Sequence, residues 1–161
     1  MSFYFYMKVT GTSQGPFASD SPHAGDGRSL CYGFHFKGAA NNDPTRGAAN
    51  AARSHEPLLV LKAWGPSSPQ FAQAFWSNEV LKEVVFDFVR SQESGPKEAA
   101  FEQIILKGAT VVSLERKAGP DVTLPEGAPF ELEEIGFRFE EMSIKSVPAK
   151  IVANYDWKNR S

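Results

Sequence analysis

The sequence predicts a mainly β chain with one substantial α-helix and a long extended loop. Three observations carry this. Thirteen Phe, four Tyr and three Trp in 161 residues are a heavy aromatic load, and aromatic and β-branched side chains favour pleated, half-buried surfaces. Apolar residues recur with period two in several separate runs. Thirteen Gly and eleven Pro fall mostly between those runs, as strand boundaries require.

Phe3 to Val9 reads as an opening strand with Phe3, Phe5, Met7 and Val9 on one side and Tyr4, Tyr6 and Lys8 on the other. Gly11 to Gly27, rich in Gly, Ser, Pro and Asp, reads as a turn or exposed loop. Ser29 to Lys37 follows as a strand, with Leu30, Tyr32, Phe34 and Phe36 opposite Cys31, Gly33 and His35. Gly38 to Arg53 loses periodicity. A loop of that length inside a compact domain usually has a task of its own. Leu58 to Ala63 is the next strand, ended by Trp64-Gly65-Pro66. Ser68 is placed to cap a helix with Pro69 at its first position, where no backbone donor is missed. Phe71, Ala74 and Phe75 form that helix's apolar stripe, flanked by Ala72 and Trp76, and Asn78 tolerates the left-handed turn that ends it. Lys82 to Arg90, then Ala100 to Lys107 and Ala109 to Arg116 interrupted at Gly108, supply further strands. Phe130 to Ile144 is a long extended segment expected to change parity near Gly136 or Met142, as a bulge would produce. Ala149 to Trp157 is the last strand.

The length fits one domain over residues 1–161. A chain of this size buries roughly 70% of its extended surface, enough for a core without metal or disulfide staples. One cysteine excludes an internal disulfide and suits a reducing compartment. Seventeen basic and nineteen acidic residues give a net charge of -2, so no global field favours nucleic acid or anionic lipid. The apolar start lacks a basic leader and a small-residue cleavage site, and no run approaches the ~20 apolar residues that span a bilayer. The expectation is a soluble product of the cytoplasm.

Several fragments then match one pattern in order: Tyr6-Met7-Lys8-Val9-Thr10-Gly11, Arg53-Ser54-His55-Glu56-Pro57, and Lys62 leading to Ser68-Pro69-Gln70-Phe71. Val80-Leu81-Lys82-Glu83-Val84, Ile104 to Ala109, Val111-Val112-Ser113 and Phe137-Arg138-Phe139 continue it. With these the chain resembles the hemolysin-coregulated protein family, the tube-forming subunits of bacterial type VI secretion systems. The resemblance implies a small two-sheet β-barrel or sandwich with one flanking α-helix, a subunit that forms homohexameric rings, stacks them into a hollow tube and carries small effectors. It implies as partners further copies of the chain and the sheath, tip and effector proteins of the system. It also implies synthesis in the bacterial cytoplasm and export to the extracellular space or a target cell without a signal peptide. The aromatic start and the Pro16 to Gly27 stretch depart from the family pattern.

The residues suggest no enzyme, cofactor or metal centre. Cys31 and His35 point the same way on a strand but lie about 13 Å apart, against the ~3 Å of proton transfer. Asp20, His23 and Asp26 match no closed metal spacing and read as solvent-facing turn chemistry. Glu126, Glu131, Glu133, Glu134, Glu140 and Glu141 make the later strands acidic and read as a solvated face. The first loop and the long Gly38 to Arg53 loop with its exit are the expected subunit contacts, the latter through Asn42, Asp43, Arg46, Arg53, His55 and Glu56. The competing reading is a stand-alone β-sheet protein-binding adaptor that grips one partner with that long loop.

Overall fold

The computed structural model describes residues 4–20, 27–40, 53–91, 98–119 and 129–156. Alternation builds its walls. β1 (Phe5–Gly11) turns Phe5, Met7 and Val9 inward and ends where β2 (Gly15–Pro16) folds back on it. β3 (Arg28–His35), β6 (Leu58–Ala63), β7 (Leu81–Ser91), β8 (Glu98–Ala118) and β9 (Glu131–Arg138) complete the wall. The order is β8-β7-β1-β3-β6-β9, and β9 pairs again with β8, so six antiparallel strands close on themselves. Closure removes the sheet edges that would otherwise recruit stray strands.

β10 (Glu141–Ser146) and β11 (Ile151–Asp156) extend the sheet outward from the first half of β8. β4 (Gly38–Ala40) and β5 (Arg53–His55) form a separate two-stranded ribbon. Helix α1 (Ser68–Ser77) connects β6 to β7 and ends at Asn78 in the left-handed conformation, as the sequence predicts. The barrel interior is an aromatic stack in which Phe5 meets Phe34, Phe86 and Phe88, and Phe137 meets Phe86 and Phe71.

Several expectations are corrected by tertiary pairing. Tyr6 is buried despite its outward parity, because the Arg28 guanidinium lies 4.3 Å above its ring. In β3 the inward residues are first Ser29 and Cys31; a register shift between Cys31 and Gly33 then brings Phe34 into the core. The buried line of α1 runs Ser68, Phe71 and Ala74, so Phe75 is 38% exposed and leaves the core stripe. Ser67, not Ser68, occupies the cap position. The two strands expected around Gly108 are one 21-residue strand, in which Gly108 takes φ +62°. The break in the 130–144 segment falls at Phe139 and Glu140, between β9 and β10. The expected exposed loop after β2 carries Phe17, which is buried against Phe71 at 5.0 Å between ring centroids.

Gly136 lies in β9 opposite the register shift between Val111 and Ser113 of β8. A Cβ there would overlap Ser113 Oγ and stand 3.2 Å from Leu59 Cδ2. Gly136→Ala should therefore destabilise the fold by about 1–3 kcal/mol through overpacking, checked by urea unfolding. A change within experimental error would mean that the β8 bulge yields freely.

Candidate functional site

Two places concentrate polar and aromatic chemistry: the ribbon outside the barrel and an ionic node inside it. In the ribbon, Gly38, Ala39 and Ala40 pair with His55, Ser54 and Arg53, and Glu56 N–H donates to the Lys37 carbonyl at 3.0 Å. Small side chains give such a ribbon little to bury, and an isolated two-stranded hairpin is marginal in water. His55 supplies an anchor. Its ring stacks on Phe139 at 4.3 Å and 9°, and it meets Tyr155 edge-on at 6.5 Å. Its Nδ1 lies 3.1 Å from the Glu56 carbonyl oxygen. Between the ribbon and β10–β11 lies a cavity of about 500 Å³, floored by Phe36, Met142, Ile144 and Tyr155.

The structure thus brings Arg53, His55 and Glu56 together at the root of the ribbon, with Arg53 and Glu56 exposed and His55 half-buried. Asn42, Asp43 and Arg46 lie outside the described residues, as do His23 and Asp26 of the first loop. Cys31 and His35 form no pair: Cys31 is fully buried and His35 is exposed. Burial pushes the Cys31 thiol up, far from the range in which a thiolate forms. Among the described residues no group of three or more His, Cys, Asp and Glu side chains could hold a metal ion. No helix among them is long and apolar enough to cross a membrane.

The ionic node overturns two sequence expectations. Glu133 does not belong to a solvated acidic face, and Asp20 is not solvent-facing turn chemistry; Lys62 joins them in the interior. Strand parity is the cause. Leu58, Val60 and Lys62 share the inward face of β6, and Glu133, Ile135 and Phe137 share that of β9. Lys62 and Glu133 are register partners, with Cys31 beyond Lys62 and Arg116 beyond Glu133 in the same row. Lys62 Nζ lies 2.6 Å from Glu133 Oε1 and 2.8 Å from Asp20 Oδ2, and donates to the Ala63 carbonyl at 2.9 Å. Lys62 and Glu133 side chains are fully buried. Arg116 Nε stands 3.4 Å from Glu133 Oε2 while its guanidinium lies 4.0 Å from the Trp64 ring centroid.

Asp20 also holds the start of α1. Its Oδ1 accepts Ser67 N–H at 2.8 Å and its Oδ2 accepts the Ser67 hydroxyl. Ser68 donates its hydroxyl to Glu133 Oε1 at 2.7 Å and accepts Gly65 N–H at 2.9 Å. Ser67 itself has helical dihedrals and makes no side-chain cap, so the capping carboxylate comes from a distant part of the chain. Burial pushes the Asp20 carboxyl up, but hydrogen bonds from Lys62 and Ser67 and the charge of Lys62 outweigh it. The carboxyl stays below its usual range. One signal in the sequence could have revealed the node. A lysine continuing an inward Leu-x-Val-x alternation must find buried partners.

A sequence profile described as type VI secretion system effector, Hcp, matches residues 6–145. The major exported protein of Pseudomonas aeruginosa strain PAO1 is 24% identical over 165 residues, covering 96% of this chain and 95% of the relative. Among solved structures, a mutant of the Hcp1 protein from Escherichia coli EAEC 042 superposes with a TM-score of 0.81 at 16% identity. The match covers 98% of this chain and 99% of that one. The secreted protein Hcp3 from Pseudomonas aeruginosa gives a TM-score of 0.74 at 18% identity, over 95% and 99% of the two chains.

Proposed function

The chain belongs to the Hcp family of the type VI secretion system, and we propose that its copies close into hexameric rings that stack as a tube and carry small effectors. A ring closes when one flank of a protomer complements a different flank of its neighbour. The ribbon carries this reading. It stands off the barrel with Gly38, Ala39, Ala40, Arg53 and Ser54 exposed, yet His55 fixes its root on Phe139. A surface presented in a set direction loses less freedom on association. Its contacts are with other copies of the chain, through Arg53, His55 and Glu56 and through Asn42, Asp43 and Arg46 of the connecting segment. Residues 1–161 act as one tube-subunit domain. Sheath, tip and effector proteins are the remaining partners, and the route is from the bacterial cytoplasm to the extracellular space or a target cell.

Electron microscopy of the purified protein, with sedimentation over a wide concentration range, tests the assembly. Rings or short tubes are expected. Monomer at every concentration, or a single high-affinity partner bound by the monomer, would replace the reading with that of an adaptor.

His55→Ala should loosen the ribbon while sparing the barrel. The lost stack corresponds to about 0.5–1.5 kcal/mol of fold stability, a small shift in urea midpoint. At the contacts between copies, a similar loss weakens each by roughly tenfold, so sedimentation should show rings giving way to smaller species. Rings that persist unchanged with His55→Ala would remove the ribbon from the interface.

A further inference from the structure

We propose that Asp20, Lys62 and Glu133 form an acid-released latch, which holds α1 and the segment around Phe17 to Asp20 on the barrel and lets them go before the barrel opens. The latch joins α1, which has no strand pairing to the barrel, and the segment after β2, whose backbone bonds to the wall are Phe17 N–H to the Val9 carbonyl and Asp20 N–H to the Arg28 carbonyl. α1 is fastened at its first turn by Asp20, through Ser67, and by Glu133, through Ser68. That turn contains no acidic residue of its own, so the negative charge favoured at a helix N-terminus comes from those two carboxylates. Lys62 binds both, and its position in the β6–β9 ladder ties the cluster to the wall. The barrel needs none of these groups for its hydrogen-bonded closure.

The charged and titratable groups facing the latch come from every element around it. Asp20 comes from the segment after β2, Lys62 from β6, Glu133 from β9, Arg116 from β8 and the buried Cys31 thiol from β3. The Asp20 and Glu133 carboxyl groups both face Lys62 Nζ, and Glu133 also faces the Arg116 guanidinium. Protonating Asp20 removes one negative charge from this cluster and weakens the acceptor that holds Ser67 N–H. The sign follows from Asp20 being held below its usual range. Its contribution is present above the unfolded carboxylate range and is lost as pH falls through the lower folded value, which puts release below about pH 4.

An acid titration of the full chain tests this with two signals. With Trp76→Phe and Trp157→Phe as the common background, tryptophan fluorescence reports the node, because Trp64 lies under Arg116 and donates Nε1–H to the Leu132 carbonyl at 2.9 Å. Far-UV circular dichroism reports the strands. In this background the fluorescence midpoint should lie about one pH unit above that of the circular dichroism. In Asp20→Asn the acid step in fluorescence should lose at least about half its amplitude, while Glu115→Gln, at an exposed position of β8, leaves it unchanged. Coincident midpoints in this background overturn the latch without recourse to any further variant. So does an Asp20→Asn chain that keeps the full fluorescence step.

Discussion

Lys62→Met should destabilise the fold by about 3–5 kcal/mol, the cost of stranding buried charge. Methionine has nearly the length of lysine, so little packing is lost. What is lost is the cation between Asp20 and Glu133, which stand 2.8 and 2.6 Å from Nζ. Among the described residues Glu133 then keeps the partly exposed Arg116 as its ionic partner. Converting the whole cluster by adding Asp20→Asn and Glu133→Gln should recover part of the loss, because breaking a buried pair is costlier than replacing it. Urea unfolding of the single and triple variants checks both results. A single variant within about 1 kcal/mol of the native chain would place the cluster in contact with water.

Phe71→Ala is the second large effect, about 3–5 kcal/mol for a fully buried phenylalanine. Its ring meets Phe17 at 5.0 Å and Phe137 at 6.3 Å, and Lys62 Nζ lies 5.5 Å from its centroid. It connects α1, the segment after β2 and the barrel interior at once. Phe75→Ala, on the same helix but 38% exposed, should cost less than about 1 kcal/mol. Chemical denaturation of the pair separates the two, and equal losses would mean that the helix buries a wider face than Ser68, Phe71 and Ala74.

The contrast between Phe71 and Phe75 shows what the sequence could and could not disclose. β6 was legible to the residue because Trp64-Gly65-Pro66 stops it and Leu58 and Val60 alternate within it. The end of α1 was legible because Asn78 suits a left-handed residue. Those are local signals. Phe75 looks as apolar as Phe71, and only the angle at which α1 meets the wall decides between them. Asp20 lies among turn-forming neighbours, and nothing nearby announces a buried lysine 42 residues away. Glu133 sits in an acidic run, and only the inward face of β9 singles it out. At the ribbon, the sequence pointed to Arg53, His55 and Glu56, but the Phe139 ring beneath His55 is a contact between distant segments.

β8 has a mechanical consequence. On one edge it carries both β9, from Thr110 to Ala118, and β10, from Glu102 to Lys107. Among the described residues β11 pairs with β10 alone. Tension applied lengthwise to that hairpin would load all the hydrogen bonds along β10 together, instead of peeling them one at a time. The same strand would pass the pull into the closed wall, so a subunit gripped by its outer hairpin would bear thrust as a rigid link and yield late.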